Sequence, residues 1–335
     1  MHNPLVSIII PFKNTEDYIQ SCFTSILKQS YFNFEVVAIN DHSTDDSAEI
    51  VHSIATQDKR FKLFDAKKSG IISALQLGYS KASGTLITRM DSDDIMTPNK
   101  LQVMVDALLH HGTGHIAIGQ VRYFAKNGIN DGYANYEKWL NSLTEKGTNY
   151  SDIYVECVIP SPCWMVYKTD FDRCDGFNPT TYPEDYDLAF RFYEHGLKCI
   201  PCTEVLHLWR DYSTRTSRTS EHYAENYFLD LKLFYFLKLD YQSDQKLVIW
   251  GAGKKGKKIA QLLIEKKVQF DWVCDNSKKI GKHIYDVKMQ SYKTLHGTKL
   301  SQILVTVANK KEQKSIKTFL QKERKIANED YFFFC

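Results

Sequence analysis

The feature that most constrains the fold is the alternation of strands and helices over roughly the first hundred residues. The β-branched segments at 5–10, Leu-Val-Ser-Ile-Ile-Ile, and 34–39, Phe-Glu-Val-Val-Ala-Ile, predict strands that are buried on both faces. Shorter apolar segments at 61–64 and 86–87 predict two more strands, and the segments between the strands have helical spacing. The pattern predicts a parallel sheet flanked by helices.

Polar groups follow three of these predicted strands, at the point where each strand ends. Residues 11–14, Pro-Phe-Lys-Asn, follow the first strand, and Asn40 and Asp41 follow the second. Residues 89–94, Arg-Met-Asp-Ser-Asp-Asp, follow the fourth. The carboxyl ends of parallel strands share one edge of a sheet, and ligands bind there in open α/β sheets. The sequence therefore predicts a ligand site formed by these three strand ends.

Three carboxylates, Asp91, Asp93 and Asp94, stand within four residues at the end of the fourth strand. They repel one another and are costly to bury, so such a cluster faces water, caps a helix or holds a cation. One interpretation is a solvated turn in which Asp94 or Thr97 caps a helix that begins near Pro98. The other is a divalent cation that neutralises phosphates, because no glycine-rich phosphate loop follows the first strand.

Size and charge indicate two parts of different character. A chain of 335 residues is long enough for two domains, and no apolar stretch in it reaches the length of a membrane span. Residues 246–335 hold 20 lysines and arginines against 8 acids, whereas residues 1–245 hold 23 against 32. An acidic first part suits a cation site, and a basic second part suits either an anionic partner or a solvated, lysine-rich surface.

The start of the sequence and its cysteines bear on location. The chain does not open with a basic segment followed by an apolar stretch, so a secretory signal is not expected. The eight cysteines are scattered, mostly within apolar segments, which is typical of reduced thiols rather than of a disulfide framework. We therefore predict a cytoplasmic protein, with peripheral contact at the inner membrane face left open.

Three segments together resemble the family 2 glycosyltransferases, which have the GT-A fold. The segments are Val-Ser-Ile-Ile-Ile-Pro-Phe-Lys-Asn (6–14), Ile-Asn-Asp-His-Ser-Thr-Asp-Asp-Ser (39–47) and Ala-Ser-Gly-Thr-Leu-Ile-Thr-Arg-Met-Asp-Ser-Asp-Asp (82–94). The resemblance implies an α/β fold with a doubly wound mixed sheet and an inverting enzyme that uses a nucleotide-diphosphate sugar, preferably UDP-linked. It also implies a glycan or lipid-linked acceptor in surface polysaccharide synthesis, Mn²⁺ or Mg²⁺ as cofactor, and no nucleic-acid partner.

The same resemblance implies roles for single residues by their position. The residues implied to bind the nucleotide sugar are Pro11, Phe12, Asn14, Asn40, Asp41, Lys68, Arg89, Asp91 and Arg210. Asp91 and Asp93 are the implied metal ligands, and His207 is a weaker third candidate that could equally be a core histidine. One departure is His42, because the family most often has glycine there. His42 needs a turn without positive φ, or tolerates one at a cost of about 1 kcal/mol or more.

A catalytic base is suggested by the acids that open a predicted helix, beginning at Glu184-Asp185. Acids in a first helical turn are favoured by the helix dipole whatever their function. Inverting sugar transfer also needs a carboxylate that takes the proton of the acceptor hydroxyl. The Glu-Asp pair resembles the base motif of the family, so Asp185 is the implied base, and Glu184 binds the acceptor or orients the helix.

Two further segments are expected to contact substrates. Residues 127–150 are polar and rich in aromatic side chains, which suits a segment that covers a substrate. Residues 204–217 resemble the segment that closes the catalytic domain of the family, but Tyr212 stands where the family has a histidine. The arginines at 210, 215 and 218 are candidates to clamp a diphosphate as a loop closes.

A second nucleotide motif lies at the start of the basic part. A predicted strand from Lys246 leads into Gly251-Ala-Gly253-Lys-Lys-Gly256 and a helix, and Asp275 follows the next strand at the spacing of a ribose-binding acid. The region resembles small Rossmann-like domains, and it either binds a nucleotide or anionic group or serves as a docking module. The predicted domains are a GT-A catalytic domain at 1–221, a linker helix at 222–245 and a Rossmann-like domain at 246–335.

Two rival functions from other classes stay open at this point. A nucleotidyltransferase would also bind Mg²⁺ through carboxylates at a strand end, but it would normally show a glycine-rich, basic loop after the first strand. A non-catalytic role would make the second domain a nucleotide sensor or a scaffold. The sequence does not indicate an oligomeric state.

Overall fold

The computed structural model describes residues 3–215, 218, 228–298 and 300–335. The chain divides into two compact units: Met1–Tyr150 with Cys157–Arg215, and Ser151–Glu156 with Thr216–Cys335. The domain boundaries predicted at 221 and 245 stay predictions. Residues 222–227 of the predicted linker helix lie outside the described part of the chain.

The first unit is built on a mixed sheet of eight strands with helices packed against it. Its strands are β1 (Val6–Phe12), β2 (Phe34–Asn40), β3 (Phe61–Asp65), β4 (Leu86–Arg89), β5 (Ile95–Met96), β6 (His115–Phe124), β7 (Trp164–Tyr167) and β8 (Lys198–Arg210). Its helices are α1 (Glu16–Leu27), α2 (Ser47–Gln57), α3 (Ile71–Lys81), α4 (Lys100–His111), α5 (Asp131–Lys146), α6 (Lys168–Arg173) and α7 (Glu184–Glu194).

The sheet order is β3-β2-β1-β4-β7-β6-β8-β5, and its first four strands form the predicted parallel part. Strand β7 pairs antiparallel with β4 and β6, and β8 runs parallel to β6 and antiparallel to β5. The strand order reverses between β1 and β4, which is the point where ligands bind in doubly wound sheets. The predicted α/β fold with a doubly wound mixed sheet is confirmed.

Strand β1 is buried along its whole length, as expected of a strand covered on both faces. It extends two residues further than predicted, through Pro11 and Phe12, and Phe12 is 2% exposed within the main hydrophobic core. Strand β4 pairs with β1 only as far as Ile9, so Pro11 lies beyond that ladder. The missing N–H of proline therefore costs no hydrogen bond to β4.

The segment at 127–150 contains a helix that the sequence analysis did not assign. Helix α5 begins after Asn130, whose side chain accepts a hydrogen bond from the N–H of Tyr133, and it ends at Gly147 in a left-handed conformation. Only Leu140, Leu143 and Thr144 of this helix are buried. Because so few positions face the core, the apolar period that marks a helix in sequence is weak here.

The second unit is a smaller, Rossmann-like α/β unit, as predicted. Its strands are β9 (Lys246–Trp250), β10 (Asp271–Cys274), β11 (His283–Ile284), β12 (Val287–Ser291), β13 (Ser301–Val305) and β14 (Tyr331–Phe333), with helices α8 (Leu229–Leu239), α9 (Lys254–Glu265) and α10 (Lys310–Lys322). The order is β11-β12-β10-β9-β13-β14, in which five strands are parallel and β11 pairs antiparallel at the edge. Across the described parts of both units, none of the helices combines the length and apolarity needed to cross a membrane.

Candidate active site

The three polar strand ends meet at one edge of the first sheet, as the parallel order requires. Phe12 at the end of β1 is in register with Asn40 at the end of β2, and Ile9 is in register with Arg89 of β4. Backbone hydrogen bonds continue past the strands, from Asp41 N–H to the carbonyl of Phe12 at 2.8 Å. The edge therefore carries the end of β1, Asp41 and the acidic loop after β4 side by side.

Asp41 is the organising acid of the β2 end of this edge. It is 7% exposed, and each of its carboxylate oxygens accepts a hydrogen bond from the N–H of Gly70 at 3.0 Å. Lys13 Nζ lies 3.9 Å from the same carboxylate. Asn14 and Asn40 support the surrounding loops, because the side chain of Asn14 accepts from Thr44 N–H and that of Asn40 from Ser43 N–H.

His42 adopts the conformation that glycine would adopt more easily. Its φ is 59°, in the left-handed region, so the second of the two predicted options applies. Its Nδ1 lies 3.3 Å from Oδ1 of Asp41. The fold accepts local backbone strain of about 1 kcal/mol at this turn, which sits next to the predicted nucleoside-binding acid.

The predicted contacts of Pro11 and Phe12 with the base stay predictions. Both residues are buried within β1, which continues past the point where the apolar sequence pattern ends, and the side chain of Phe12 belongs to the core. Lys68 is exposed in the loop after β3, where it is free to meet a ligand but is held by no described contact.

The acidic loop is held in place by the end of β8. The short strand β5 follows the loop and pairs with β8, with Met96 opposite His207. Beyond this pairing, Arg210 Nε donates to the carbonyl oxygen of Asp93 at 2.6 Å, and the hydroxyl of Tyr212 donates to Asp93 Oδ2 at 2.9 Å. Burial, together with the charges of Asp94 and Asp91, raises the pKa of Asp93 to about 7.

Asp94 is a structural residue rather than a helix cap, which corrects the prediction. It is fully buried, and its carboxylate accepts from the backbone N–H of Arg210 at 2.7 Å and faces His207 Nε2 at 2.9 Å. Helix α4 begins at Lys100, and its N-cap residue is Asn99. Asp94 therefore ties the acidic loop to β8, in a buried position where the desolvation of its charge raises its pKa.

His207 lies in the core, as the alternative interpretation proposed. Its Nε2 faces Asp94, and its Nδ1 lies 3.4 Å from Nζ of the buried Lys100. Burial and the positive charge of Lys100 lower the pKa of His207 well below its usual range. Both ring nitrogens are engaged by protein groups, so this structure offers neither of them to a metal ion.

Arg89 connects the acidic loop to the start of helix α7. Its Nε donates to Asp91 Oδ1 at 3.0 Å, and its Nη1 donates to Glu184 Oε1 at 2.8 Å. The Arg89 side chain is 9% exposed. Burial alone would lower the pKa of Arg89, but the carboxylates of Asp91 and Glu184 outweigh it and hold the guanidinium charged. Two motifs 93 residues apart are thereby joined by one guanidinium.

Asp185, the predicted base, follows Glu184 in the first turn of α7. Its Oδ1 accepts from the N–H of Tyr186 at 2.8 Å. Burial and the neighbouring charge of Glu184 raise the pKa of Asp185 to about 7, although Arg89 opposes the shift. A carboxylate with a pKa near neutrality is suited to take a proton from a hydroxyl and later release it.

The acidic loop contains the two residues predicted to bind a divalent cation, Asp91 and Asp93. Among the described residues, no group of three or more His, Cys, Asp and Glu side chains could hold a metal ion. Asp91 and Asp93 supply two hard oxygen ligands, and burial together with the charges of Asp94 and Asp91 raises the pKa of Asp93. This donor set fits an ion whose remaining ligands come from a diphosphate and water.

Sequence reasoning gave Tyr212 no role at the site and left Arg215 as one of three clamp candidates. Tyr212 packs on Tyr18 with ring centroids 4.7 Å apart and bonds to Asp93. Arg215 lies over the ring of Trp209 at 5.2 Å, and the charges of Asp94 and Asp93 keep its pKa raised despite its burial. The only sequence feature that pointed to a role for Tyr212 was its position, where the family has a histidine.

The glycine motif of the second unit has the predicted placement. Gly251 follows β9, Gly253 is the N-cap residue of α9, and Asp275 is exposed after the adjacent parallel strand β10. Gly251 has φ of 128°, and a Cβ on Gly256 would lie 2.1 Å from the carbonyl oxygen of Gly251. Gly253 alone of the three has open space where a Cβ would stand.

The fold and the acidic edge together define a GT-A type unit, and comparison with known proteins agrees. The family model described as glycosyl transferase family 2 matches residues 7–174, just over half of the chain. The chain therefore belongs to glycosyl transferase family 2, and the predicted family is confirmed. This match also favours sugar transfer over the rival nucleotidyl transfer.

Named relatives carry glycosyltransferase and polysaccharide synthase descriptions. Glycosyltransferase GlyG of Streptococcus pneumoniae is 40% identical over 101 residues, which is 30% of this chain and 34% of that protein. Chondroitin synthase of Pasteurella multocida is 30% identical over 211 residues, 61% of this chain and 21% of that protein. The chain thus spans well under half the length of these relatives.

Two solved structures share the fold at low sequence identity. S. aureus TarS 1–349 in complex with UDP-GlcNAc has a TM-score of 0.55 and 17% identity, covering 77% of this chain and 71% of that one. Mannosyltransferase PcManGT from Pyrobaculum calidifontis, in complex with GDP-Man and Mn²⁺, has a TM-score of 0.51 and 17% identity, covering 78% and 69%. At this identity the likeness extends to the fold alone.

Proposed function

We propose that this chain is an inverting, metal-dependent glycosyltransferase that moves a sugar from a nucleotide-diphosphate sugar to a hydroxyl of a glycan or lipid-linked acceptor. The observation that carries the proposal is the Arg89 bridge, which joins Asp91 at 3.0 Å to Glu184 at 2.8 Å. It brings a candidate cation site next to a candidate base, and sugar transfer from a diphosphate needs both.

The donor is proposed to bind along the edge of the first sheet. Asp41 and Asn14 would contact the base, and Arg89 and Asp91 the ribose and phosphates, with Lys68 and Arg210 as further cationic contacts. Asp91 and Asp93 would hold Mn²⁺ or Mg²⁺, which supplies positive charge against the departing diphosphate. A UDP-linked donor is preferred, and the complexes of the two structural neighbours with UDP-GlcNAc and GDP-Man support a nucleotide sugar.

Asp185 is proposed to act as the base. The acceptor oxygen forms a bond to the anomeric carbon from the face opposite the diphosphate, the bond to the diphosphate oxygen breaks, and Asp185 takes the hydroxyl proton. Its position in the first turn of α7, with Tyr186 N–H on Oδ1, supports a fixed orientation of the carboxylate. Glu184 is held by Arg89, so its proposed role is to orient this turn.

The proposed acceptor is a growing glycan or a lipid-linked glycan, and the acceptor determines where the enzyme would work. The polysaccharide synthases among them support a growing glycan, with surface polysaccharide synthesis as the proposed process. A lipid-linked acceptor would place the reaction at the cytoplasmic membrane face, which co-sedimentation of the chain with vesicles containing a prenyl-phosphate glycan would test. The second unit is proposed either to bind a nucleotide or to dock a partner.

The test of the reaction is a donor screen followed by product analysis. The full chain is heated with a panel of nucleotide sugars, with Mn²⁺ or with EDTA, and the midpoint of thermal unfolding is measured. We expect one donor to raise the midpoint in the presence of Mn²⁺ only, because a ligand that binds the folded state stabilises it. Donor binding that ignores EDTA would refute the metal, and transfer with retained anomeric configuration would refute the inverting mechanism.

A further inference from the structure

A small cavity in the first unit has Asp185 in its wall. Its volume is about 10 Å³, which is room for about one water molecule. Three polar residues line it, Arg89, Ser161 and Asp185, and the rest of its wall is apolar and includes Ile159, Trp164 and Phe192. None of the roles described above uses Ser161.

The hydroxyl of Ser161 is buried without a protein partner. The residue is 8% exposed, and among the described residues nothing forms a hydrogen bond with its Oγ. Burying a hydroxyl without a partner is costly, and buried polar groups that lack a protein partner are ordinarily paired with an internal water. A serine beside a water-sized cavity with two charged residues in its wall meets that condition.

The backbone at Ser161 is held rigidly. It stands between Pro160 and Pro162, whose rings restrict the backbone on both sides of the serine. The carbonyl of Pro162 accepts a hydrogen bond from the buried Lys100 Nζ, and Cys163 N–H donates to the carbonyl of Pro160 at 2.9 Å. The Ser161 hydroxyl therefore keeps a fixed place in the wall and turns only about its own side-chain torsion.

The two charged residues in the wall retain hydrogen-bonding capacity. Arg89 has five N–H donors, of which its contacts with Asp91 and Glu184 use only part. Asp185 accepts from Tyr186 N–H on Oδ1, and a carboxylate accepts several hydrogen bonds. A buried water typically has two to four polar partners, and this cavity offers a donor, an acceptor and a hydroxyl.

We propose that Ser161 is a positioning residue that holds one internal water in this cavity, and that this water donates a hydrogen bond to the Asp185 carboxylate and fixes its orientation. The inference rests on the proposed role of Asp185 as the base. The transfer reaction is faster when the oxygen of the base is held within hydrogen-bonding reach of the acceptor proton. It is slower when the carboxylate rotates freely. Ser161 acts through the water and touches neither substrate.

The first test is kinetic and compares Ser161→Ala with a matched control. Ser161→Ala removes the hydroxyl, and we expect kcat to fall about tenfold while KM for the donor stays unchanged. The acidic limb of kcat against pH should also move upward by roughly half to one pH unit, because an ionised carboxylate loses a hydrogen bond. The charged groups that act on Asp185 are Glu184, Arg89 and Asp91, and these variants leave them in place.

The control is Ile159→Val, which enlarges the same cavity by one methylene and removes no polar group. We expect its kcat to stay within about twofold of the wild type. If Ile159→Val and Ser161→Ala lose the same activity, packing explains the effect and the water role is overturned. Should Ser161→Ala fail to give folded protein, Ser161→Cys replaces the hydroxyl with a larger, weakly hydrogen-bonding thiol that takes the space of the water, and it is expected to show the same fall in kcat.

The second test is structural and needs no assay. A high-resolution crystal structure of the full chain should show a water bonded to Ser161 and Asp185, and that of Ser161→Ala should show it lost or displaced. A dry cavity in the wild type would overturn the proposal. Asp185→Asn distinguishes failure of the proposed base from failure of the proposed water. Full activity in that variant defeats the base assignment. An inactive Asp185→Asn beside a fully active Ser161→Ala defeats the water role alone.

Discussion

Both units of the chain have a sheet edge at which parallel strands end and helices begin. The residues at the two edges differ in charge. The first edge carries Asp41, Asp91 and Asp93 after its strands, whereas the second carries Gly251 to Gly256 and the lysines of α9. The charge of each part follows the same division, with a net of −9 over residues 1–245 and +12 over residues 246–335. The first edge is therefore acidic, and the second edge is basic.

The two edges also differ in the energetic cost of their polar residues. At the first edge Asp93 and Asp185 both have a pKa raised to about 7, chiefly because burial disfavours the charged carboxylate. Such shifts cluster at functional sites. At the second edge, Gly251 and Gly256 are explained by backbone geometry and close packing alone. The first edge therefore has two carboxylates with shifted pKa values that suit a functional site, whereas at the second edge only Gly253 has open space beside it.

The largest expected effect on the first edge comes from Asp185→Asn. Removing a general base costs roughly 10²- to 10⁴-fold in kcat, and the asparagine keeps the shape of the side chain. In the wild type, activity should fall as the pH drops through about 7, because protonation of Asp185 removes the base. Steady-state rates between pH 5 and 9 check both statements, and a pH-independent wild type would contradict the second.

The same substitution should change stability in the opposite sense. The pKa of Asp185 is raised from an ordinary value of about 3.9 to about 7, so the folded state binds more protons between those values. Wild-type stability therefore decreases as the pH rises through this window, and above it the charged carboxylate is at its most costly. The midpoint of thermal unfolding of Asp185→Asn should exceed that of the wild type by more at pH 8 than at pH 5. Equal differences at both values would show that the carboxylate is not strained.

Asp93→Ala should remove most of the metal-dependent rate. Loss of a cation at a departing diphosphate costs several kcal/mol, which is roughly 10³-fold in rate. Because the pKa of Asp93 is raised to about 7 by burial and by its acidic neighbours, Mn²⁺ affinity in the wild type should fall as the pH drops below that value. Asp17→Ala, an exposed acid of α1, is the matched control and should keep full activity. Unchanged turnover in Asp93→Ala would remove the metal assignment.

Arg89→Ala tests the link between the acidic loop and α7. It leaves Asp91 and Glu184 partly buried without their cation, and breaking such a pair costs about 3 kcal/mol of unfolding free energy. Arg173→Ala removes a half-exposed arginine that pairs with Asp170 within α6, and it should cost less than about 1 kcal/mol. Urea denaturation of both variants measures the difference. Equal losses would mean that the Arg89 bridge is no stronger than a surface ion pair.

The sequence was sufficient for the architecture of the first edge. The β-branched segments at 5–10 and 34–39 predicted its central strands, because a strand buried on both faces has no polar alternation. The family motifs then placed Asp41, Asp91 and Asp93 correctly at the strand ends. The pattern failed where burial depends on distant partners: Phe12 belongs to the core because β1 continues past the apolar run, and α5 exposes too many of its residues to show a period.

Contacts between residues far apart in sequence could not be predicted from the sequence, because they depend on how distant elements pack. Arg89 meets Glu184, Asp94 meets His207, and Tyr212 meets Asp93 only after β5 pairs with β8 and α7 returns to the sheet edge. A single sequence contains the residues but not the register that joins them. The local composition predicted a solvated Asp94, whereas the folded chain buries this residue.

At the second edge the largest expected effect is on folding. Gly256→Ala would place a Cβ 2.1 Å from the carbonyl oxygen of Gly251, so the backbone of the loop and α9 must move apart. Overpacking of this kind costs about 1–3 kcal/mol. The midpoint of thermal unfolding should fall whether or not the unit binds a ligand. An unchanged midpoint would show that the loop and helix are less tightly packed than their distances indicate.

The smallest expected effect on stability, and the most informative for the comparison, belongs to Gly253→Ala. Gly253 has extended backbone angles that alanine adopts freely, and nothing lies within 4 Å of the added Cβ. Alanine is a poorer N-cap than glycine but restricts the unfolded chain, so the free energy of unfolding should change by less than about 1 kcal/mol. If a nucleotide approaches this loop closely, the methyl group obstructs it and weakens binding. Calorimetry with NAD and UDP-sugars is done on the full chain carrying Asp93→Ala, which is expected to weaken donor binding at the first edge, with and without Gly253→Ala. A heat of binding that Gly253→Ala abolishes would show that the second edge binds a nucleotide. Absence of heat with every nucleotide would leave the glycines to packing and favour a docking role for the basic unit.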